Sequence, residues 1–410
     1  MSTPDATPSP APSQRVNLRT PEVMTQVQAQ VESHYRSEIV DRLRANGGAI
    51  TVAGVTVKLA KQFGFCYGVE RAIDLAYAAA KVFSGRRLFI LGEIIHNPEV
   101  NEQIQVLGIR NLVGKSGVPN LEVLAVGDVV IVPAFGTDVE TLARIKERGC
   151  QIVDTTCGDV MSVWKRVRQN AHDDVISIIH GKAAHEETKA TASRAIHGGK
   201  GHYLVVLTLE ETDAVCDYIR HGGEKAAFLK RFHGAYSDGF DPDIHLRRVG
   251  VANQTTMLRG ETEEVQRRIR AAIVDRDGSD KAAESFRFFD TICGATQERQ
   301  DALTQMLAQP MDVLLVIGGY NSSNTSHLAE LGEEIVPTYF IGNATRLGSR
   351  EHIRHFDLQT RGEILTEHWL PAAPLTIGIT AGASCPNNLI EETILRVFEL
   401  HGVKREALLL

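Results

Sequence analysis

Residues 154–171, DTTCGDVMSVWKRVRQNA, set a cysteine directly before a helical pattern formed by Val160, Val163, Trp164, Val167 and Ala171. The phrase returns as Asp290-Thr291-Ile292-Cys293-Gly294, ahead of Ala302, Leu303, Met306 and Leu307. A related setting is Gly64-Phe65-Cys66-Tyr67-Gly68, followed by Val69, Ala72, Ile73, Ala76, Ala80 and Phe83. The start of a helix leaves backbone N–H groups unpaired and carries partial positive charge. A thiolate there is stabilised. Recurrence of one setting at Cys66, Cys157 and Cys293 predicts three similar lobes, each presenting one thiol toward a common centre.

Around these points short apolar runs alternate with helical stretches. The runs are LFIL (88–91), VVIV (129–132), VISII (175–179), YLVVL (203–207), VGVA (249–252), VLLVI (313–317), TYFI (338–341) and TIGIT (376–380). Such alternation predicts an α/β fold with mainly parallel sheets. The expected organisation is a disordered tail and helical extension over 1–48, then α/β lobes over 49–156, 157–289 and 290–410. Within the extension, the Ala/Pro/Ser/Thr-rich first 22 residues are expected to be disordered, and 23–46 to form a helix outside the lobes. Residues 217–248, charged and Gly-rich, read as a long surface excursion.

The chain has 410 residues, with 44 Lys and Arg against 51 Asp and Glu, for a formal charge of −7. Without clustered cations it is a poor nucleic-acid binder. No apolar run is long enough to span a bilayer, and the first residues lack the basic start and apolar core of a signal peptide. The six cysteines include no CxxC pair, so they read as single thiols rather than a disulfide framework. Cys150, Cys216 and Cys385 lack the helix-start context and are assigned to apolar interiors.

Three thiolates are soft ligands suited to zinc or iron–sulfur clusters. A structural zinc wants a closed set of four, usually with two ligands close in sequence, and that spacing is absent. A cubane held by three cysteines leaves one iron without a protein ligand, which favours a catalytic cluster over an electron carrier. Polar groups follow several strands: Glu93 to Pro98, His180 to Thr188, Asn253 to Thr256, Tyr320 to Ser326 and Gly382 to Ser384. Ligands in α/β proteins bind at strand ends, and Ser, Asn and Thr near helix starts make a neutral anion cradle. GxGxxG and GxxxxGK[ST] loops are absent at strand–helix junctions, which argues against a dinucleotide enzyme or a P-loop NTPase.

GFCYGVERAI, EIIHNPEV, VDTTCGDV, HEET, NQTT, DTICGAT, GGYNSSNTSHLAEL and TAGAS occur here in order. Over about residues 60–400 the chain resembles the 4-hydroxy-3-methylbut-2-enyl diphosphate reductase, or LytB, family, in particular its cyanobacterial and plastid branch. The resemblance implies three lobes around a central [4Fe–4S] cluster held by Cys66, Cys157 and Cys293, with one open iron. It implies reductive removal of an allylic hydroxyl to give isopentenyl and dimethylallyl diphosphates, the last step of the methylerythritol phosphate route. His96, His185, Ser322, Ser323, Asn324 and Ser384 match diphosphate-binding positions, Ser323 the less direct of the serines. Glu187 matches the proton-delivering carboxyl, and Thr255 the threonine that orders the substrate hydroxyl. A ferredoxin- or flavodoxin-type donor, no nucleic-acid or membrane partner and a cytoplasmic location are expected. One departure stands out: Phe135 occupies the place of a second family histidine, and Lys182 is a candidate source of compensating charge. The competing readings are a [4Fe–4S] hydro-lyase with the same open site, acting on another small phosphorylated or carboxylated substrate, and a non-catalytic zinc or cluster sensor.

Overall fold

A computed structural model describes residues 17–114, 117–196 and 200–408. Three sheets organise it. The first runs Ile109–Asn111, Leu88–Ile90, Val129–Val132, Gln151–Asp154, and the second Phe286–Phe288, Val249–Asn253, Ile176–His180, Tyr203–Val206, each parallel throughout. Their central strands are buried along their whole length, as expected of sheets covered on both faces.

The third sheet has seven strands and is mixed. Val55–Leu59, Leu375–Ala381, Val313–Ile317 and Thr338–Ile341 form its parallel centre. Ala49–Val52 closes one edge, and the hairpin of His352–Asp357 and Gly362–Glu367 closes the other. The expected lobe boundary at residue 49 is therefore corrected. Residues 49–59 belong to the last sheet, with Val55 opposite Leu375 and Leu59 opposite Ile379. The cause is alternation: Val55, Val57 and Leu59 bury one face into the core shared with Leu315, Ile377 and Ile379.

Two further expectations change. The N-terminal extension is two helices, Pro21–Tyr35 and Glu38–Ala45, broken where Ser37 caps the second by accepting from the Val40 N–H at 2.9 Å. Neither lies outside the lobes. Val27 and Tyr35 pack with Ala72, Ile73 and Tyr77, while Ile39, Val40 and Leu43 enter the core of the seven-stranded sheet. Of the expected disordered tail, residues 1–16 lie outside the described residues, and Leu18 is already buried. Residues 217–248 are not a loose excursion. They carry the helices Lys225–Arg231 and Pro242–His245, and Phe228, Phe232, Phe240 and Leu246 fill the core of the second lobe. Burying those side chains offsets the entropy of ordering the segment. No described helix is long and apolar enough to cross a membrane.

Candidate functional site

The three repeated cysteines are the residues just before three helices, Tyr67–Val82, Gly158–His172 and Gly294–Leu307. Each has an extended backbone, and its N–H is anchored on a neighbouring loop. Cys66 donates to the Ala383 carbonyl at 3.2 Å, Cys157 to Ala134 at 2.8 Å and Cys293 to Thr255 at 3.2 Å. All three thiols are free and half-buried, whereas Cys150, Cys216 and Cys385 are buried in separate apolar cores.

The sulfurs converge. A Cβ placed on Gly68 would lie 2.6 Å from Cys157 Sγ and 3.9 Å from Cys66 Sγ, so the space beside the two thiols exists only because that residue is glycine. Cys293 shares the same cavity, of about 570 Å³. Its sulfur accepts from the Thr296 N–H at 3.3 Å and lies 2.9 Å from the Thr296 hydroxyl. Burial pushes the Cys293 thiol up to about 12 and raises that of Cys157. Such thiols ionise readily only beside strong positive charge, which an iron centre provides. Three convergent soft donors beside open space fit an iron–sulfur cluster, and among the described residues no fourth cysteine lines the cavity.

The remaining candidates line the same cavity: His96, His185, Glu187, Thr255, Ser322, Ser323, Asn324 and Ser384. His96 follows the strand Leu88–Ile90 and stacks flat on Phe135, with centroids 4.6 Å apart and planes 8° apart. Its Nδ1 is 3.1 Å from Glu93, which Asn321 also holds at 2.7 Å. Its Nε2 is buried without a hydrogen-bond partner, 3.9 Å from a Glu186 carboxylate oxygen, and Asn324 Nδ2 likewise has none. Two orphaned polar atoms in one wall mark a place for a polar ligand. His185 differs. It caps the helix Glu186–Arg194 by accepting the Glu187 N–H on Nδ1 at 3.2 Å. Burial lowers its pKa to about 3, so the ring is neutral and keeps its proton on Nε2.

Ser322 caps the helix Ser323–Glu333 and turns that helix start toward the cavity. Asn324 Oδ1 accepts the Ala383 N–H at 2.9 Å, and the Ser384 hydroxyl donates to the His96 carbonyl at 3.1 Å. Ser323 is held back by Gln254, whose amide donates to it at 3.1 Å. Glu187 is fully enclosed. One carboxylate oxygen accepts from the Thr255 N–H at 2.6 Å and the other from the Thr255 hydroxyl at 3.0 Å. Burial still outweighs those bonds and raises its pKa to about 7. The protonated form therefore persists toward neutrality, as suits a general acid.

Lys182 is not in the cavity wall. Its charge acts on Glu330 and Arg361 and also reaches His185 at the cavity, while Phe135 itself stacks on His96. The residue that sequence reasoning missed is Arg299, which also lines the cavity. Its signal was a charged side chain on the buried face of its helix, in line with Thr296 and Leu303.

The LytB protein family model matches residues 57–398. A 4-hydroxy-3-methylbut-2-enyl diphosphate reductase of Gloeobacter violaceus is 48% identical over 383 residues, covering 92% of this chain and 91% of the relative. One from Thermosynechococcus vestitus is 47% identical, covering 92% and 93%. Among solved structures, an (E)-4-hydroxy-3-methyl-but-2-enyl diphosphate reductase, described as the terminal enzyme of the non-mevalonate pathway, aligns with a TM-score of 0.52 at 27% identity. It covers 84% of this chain and 99% of that one. The Plasmodium falciparum E-1-hydroxy-2-methyl-but-2-enyl-4-diphosphate reductase shares the fold, with a TM-score of 0.61 at 19% identity, over 85% of this chain and 90% of that one.

Proposed function

This chain belongs to the LytB protein family, and from that membership we infer that it is a 4-hydroxy-3-methylbut-2-enyl diphosphate reductase. The reaction consumes two electrons and two protons. The allylic C–O bond breaks, a C–H bond forms, and water leaves with isopentenyl or dimethylallyl diphosphate. It is the last step of the methylerythritol phosphate route. The hydro-lyase alternative, which needs no reductant, is not favoured by similar proteins named as reductases.

The observation that carries the reading is the sharing of one cavity by three free thiols, an enclosed carboxyl and a polar cradle. In our reading Cys66, Cys157 and Cys293 hold a [4Fe–4S] cluster with one iron left open. When bound, that cluster supplies electrons and a Lewis-acid position. The protein's part is binding, orientation and proton delivery. His96, His185, Ser322, Asn324 and Ser384 take the diphosphate, with Ser323 behind them. Hydrogen bonds to a charged partner contribute roughly 1.5–3 kcal/mol each, so a handful suffices without a lysine. Held there, the substrate points its hydroxyl end toward the thiols, and the entropy of orientation is met by binding. Glu187 gives its proton to the departing oxygen, and Thr255, bonded to both its oxygens, fixes its direction. A ferredoxin- or flavodoxin-type protein delivers the electrons, and the enzyme works in the cytoplasm.

The test is anaerobic turnover of 4-hydroxy-3-methylbut-2-enyl diphosphate with dithionite or reduced ferredoxin. Both isoprenoid diphosphates are expected. A brown, iron-loaded protein that leaves this substrate intact refutes the reading.

A further inference from the structure

Two arginines repeat one device around the thiols. Arg71 lies on the helix that Cys66 caps, and its Nη1 donates to the Thr155 and Thr156 carbonyls at 3.3 and 3.1 Å. Those are the two carbonyls just before Cys157. Arg299 lies on the helix that Cys293 caps. Its Nε and Nη2 donate to the Gly64 carbonyl at 3.2 and 2.6 Å, and Nη2 also to Phe65 at 3.2 Å. Those are the two carbonyls just before Cys66. Nη1 returns to Ala295 on its own helix at 2.8 Å. Each arginine thus ties its own cysteine helix to the backbone that aims the next cysteine.

The two differ in environment. Arg71 is only partly buried, so water reaches its charge and screens it. Arg299 is only 4% exposed. Among the described residues no carboxylate comes within ion-pair distance of it. Glu70 and Glu298 are the acidic groups facing it from beyond that range. A buried cation satisfied only by carbonyls is expensive unless a negative charge is meant to sit beside it. Cys66 and Cys293 contribute most: as thiolates their charges, ahead of that of Glu298, favour the charged form of Arg299 against the cost of burial.

We propose that Arg299 is a positioning residue that fixes the Cys66 loop against the Cys293 helix and holds an unscreened positive charge beside both sulfurs, making the bound cluster easier to reduce. This rests on the proposed iron–sulfur function. Thiolates leave the cluster negative, and reduction adds to that charge, so a fixed cation stabilises the reduced form more than the oxidised one.

The experiment is a spectro-electrochemical titration of the full chain, loaded anaerobically, beside iron and sulfide analysis. Arg299→Gln is expected to shift the reduced-to-oxidised ratio at a given potential about tenfold toward oxidised, a fall of about 59 mV in the one-electron midpoint. Arg299→Lys, which keeps the charge, is expected to stay within about threefold of wild type. A wild-type midpoint in Arg299→Gln overturns the proposal. If Arg299→Gln retains no iron, Arg299→Lys decides. Loading with a near-wild-type midpoint upholds the role of the charge, and failure to load or a midpoint about 59 mV or more below wild type overturns it. Wild-type protein that takes up no iron–sulfur cluster removes the functional reading itself, whereas a loaded wild type with an insensitive midpoint removes only this inference.

Discussion

At one end of the cavity lie three thiols from three helix starts, two of them, Cys66 and Cys157, close against Gly68. At the other, Ser322, Asn324 and Ser384 offer neutral polar atoms beside His96 and His185. The thiol end is fixed by backbone: each cysteine N–H is tied to another segment, and the space between sulfurs depends on Gly68 lacking a Cβ. The cradle end spreads recognition over many side chains and includes no lysine or arginine among the described residues. The difference teaches where changes are all-or-none and where they are graded. A site with three soft ligands loses its cofactor when one is lost, while a site with several hydrogen bonds loses affinity in increments.

The largest effect is expected from Cys293→Ser, which should abolish iron retention and bring turnover to background. Iron analysis after anaerobic reconstitution checks it, and full loading would break the contrast. Next is Glu187→Gln, which should keep the visible cluster spectrum and substrate binding while lowering kcat on the order of 10²–10⁴-fold. Wild-type turnover there would remove the proton-donor role. The same carboxyl sets a pH limb. Its pKa is raised to about 7, so the donating form dominates below that value and is lost as pH rises through it. The kcat/KM of the wild type should fall about tenfold per unit above that point, and Glu187→Gln should flatten the profile.

At the cradle, Asn324→Ala deletes one orphaned donor and should raise KM roughly 10- to 100-fold, the scale of one hydrogen bond to a charged group, with kcat little changed. The smallest effect is expected from Lys182→Ala. That side chain is absent from the cavity wall, so KM should stay within about twofold of wild type. A large rise would restore Lys182 as the substitute for a histidine at Phe135.

The sequence carried the lobes' strand runs and the helix-start cysteines because both are local patterns. Loop identities after each strand were legible for the same reason. What was not legible depends on contacts between distant segments. Val55–Leu59 alternates like any half-buried strand, and nothing within it says that Leu375–Ala381 is its neighbour. Phe228 and Phe232 stand one helical turn apart, a signal that the surrounding charges and glycines masked. In sequence Arg299 is one helix cation among many, and only its contact with the carbonyls of Gly64 and Phe65 sets it apart.

The pairing of Val55–Leu59 with Leu375–Ala381 has a consequence for biosynthesis. During translation the early strand leaves the ribosome long before its partner exists, and the loop bearing Cys66 must also wait for the carbonyl of Ala383. Non-local closures of this kind come late in folding. One corner of the thiol triangle is therefore set only after nearly all of the described chain has been made. A chain arrested before residue 375 exposes an unpaired strand edge that invites aggregation, and the three thiols come together fully only in molecules whose synthesis has passed that point.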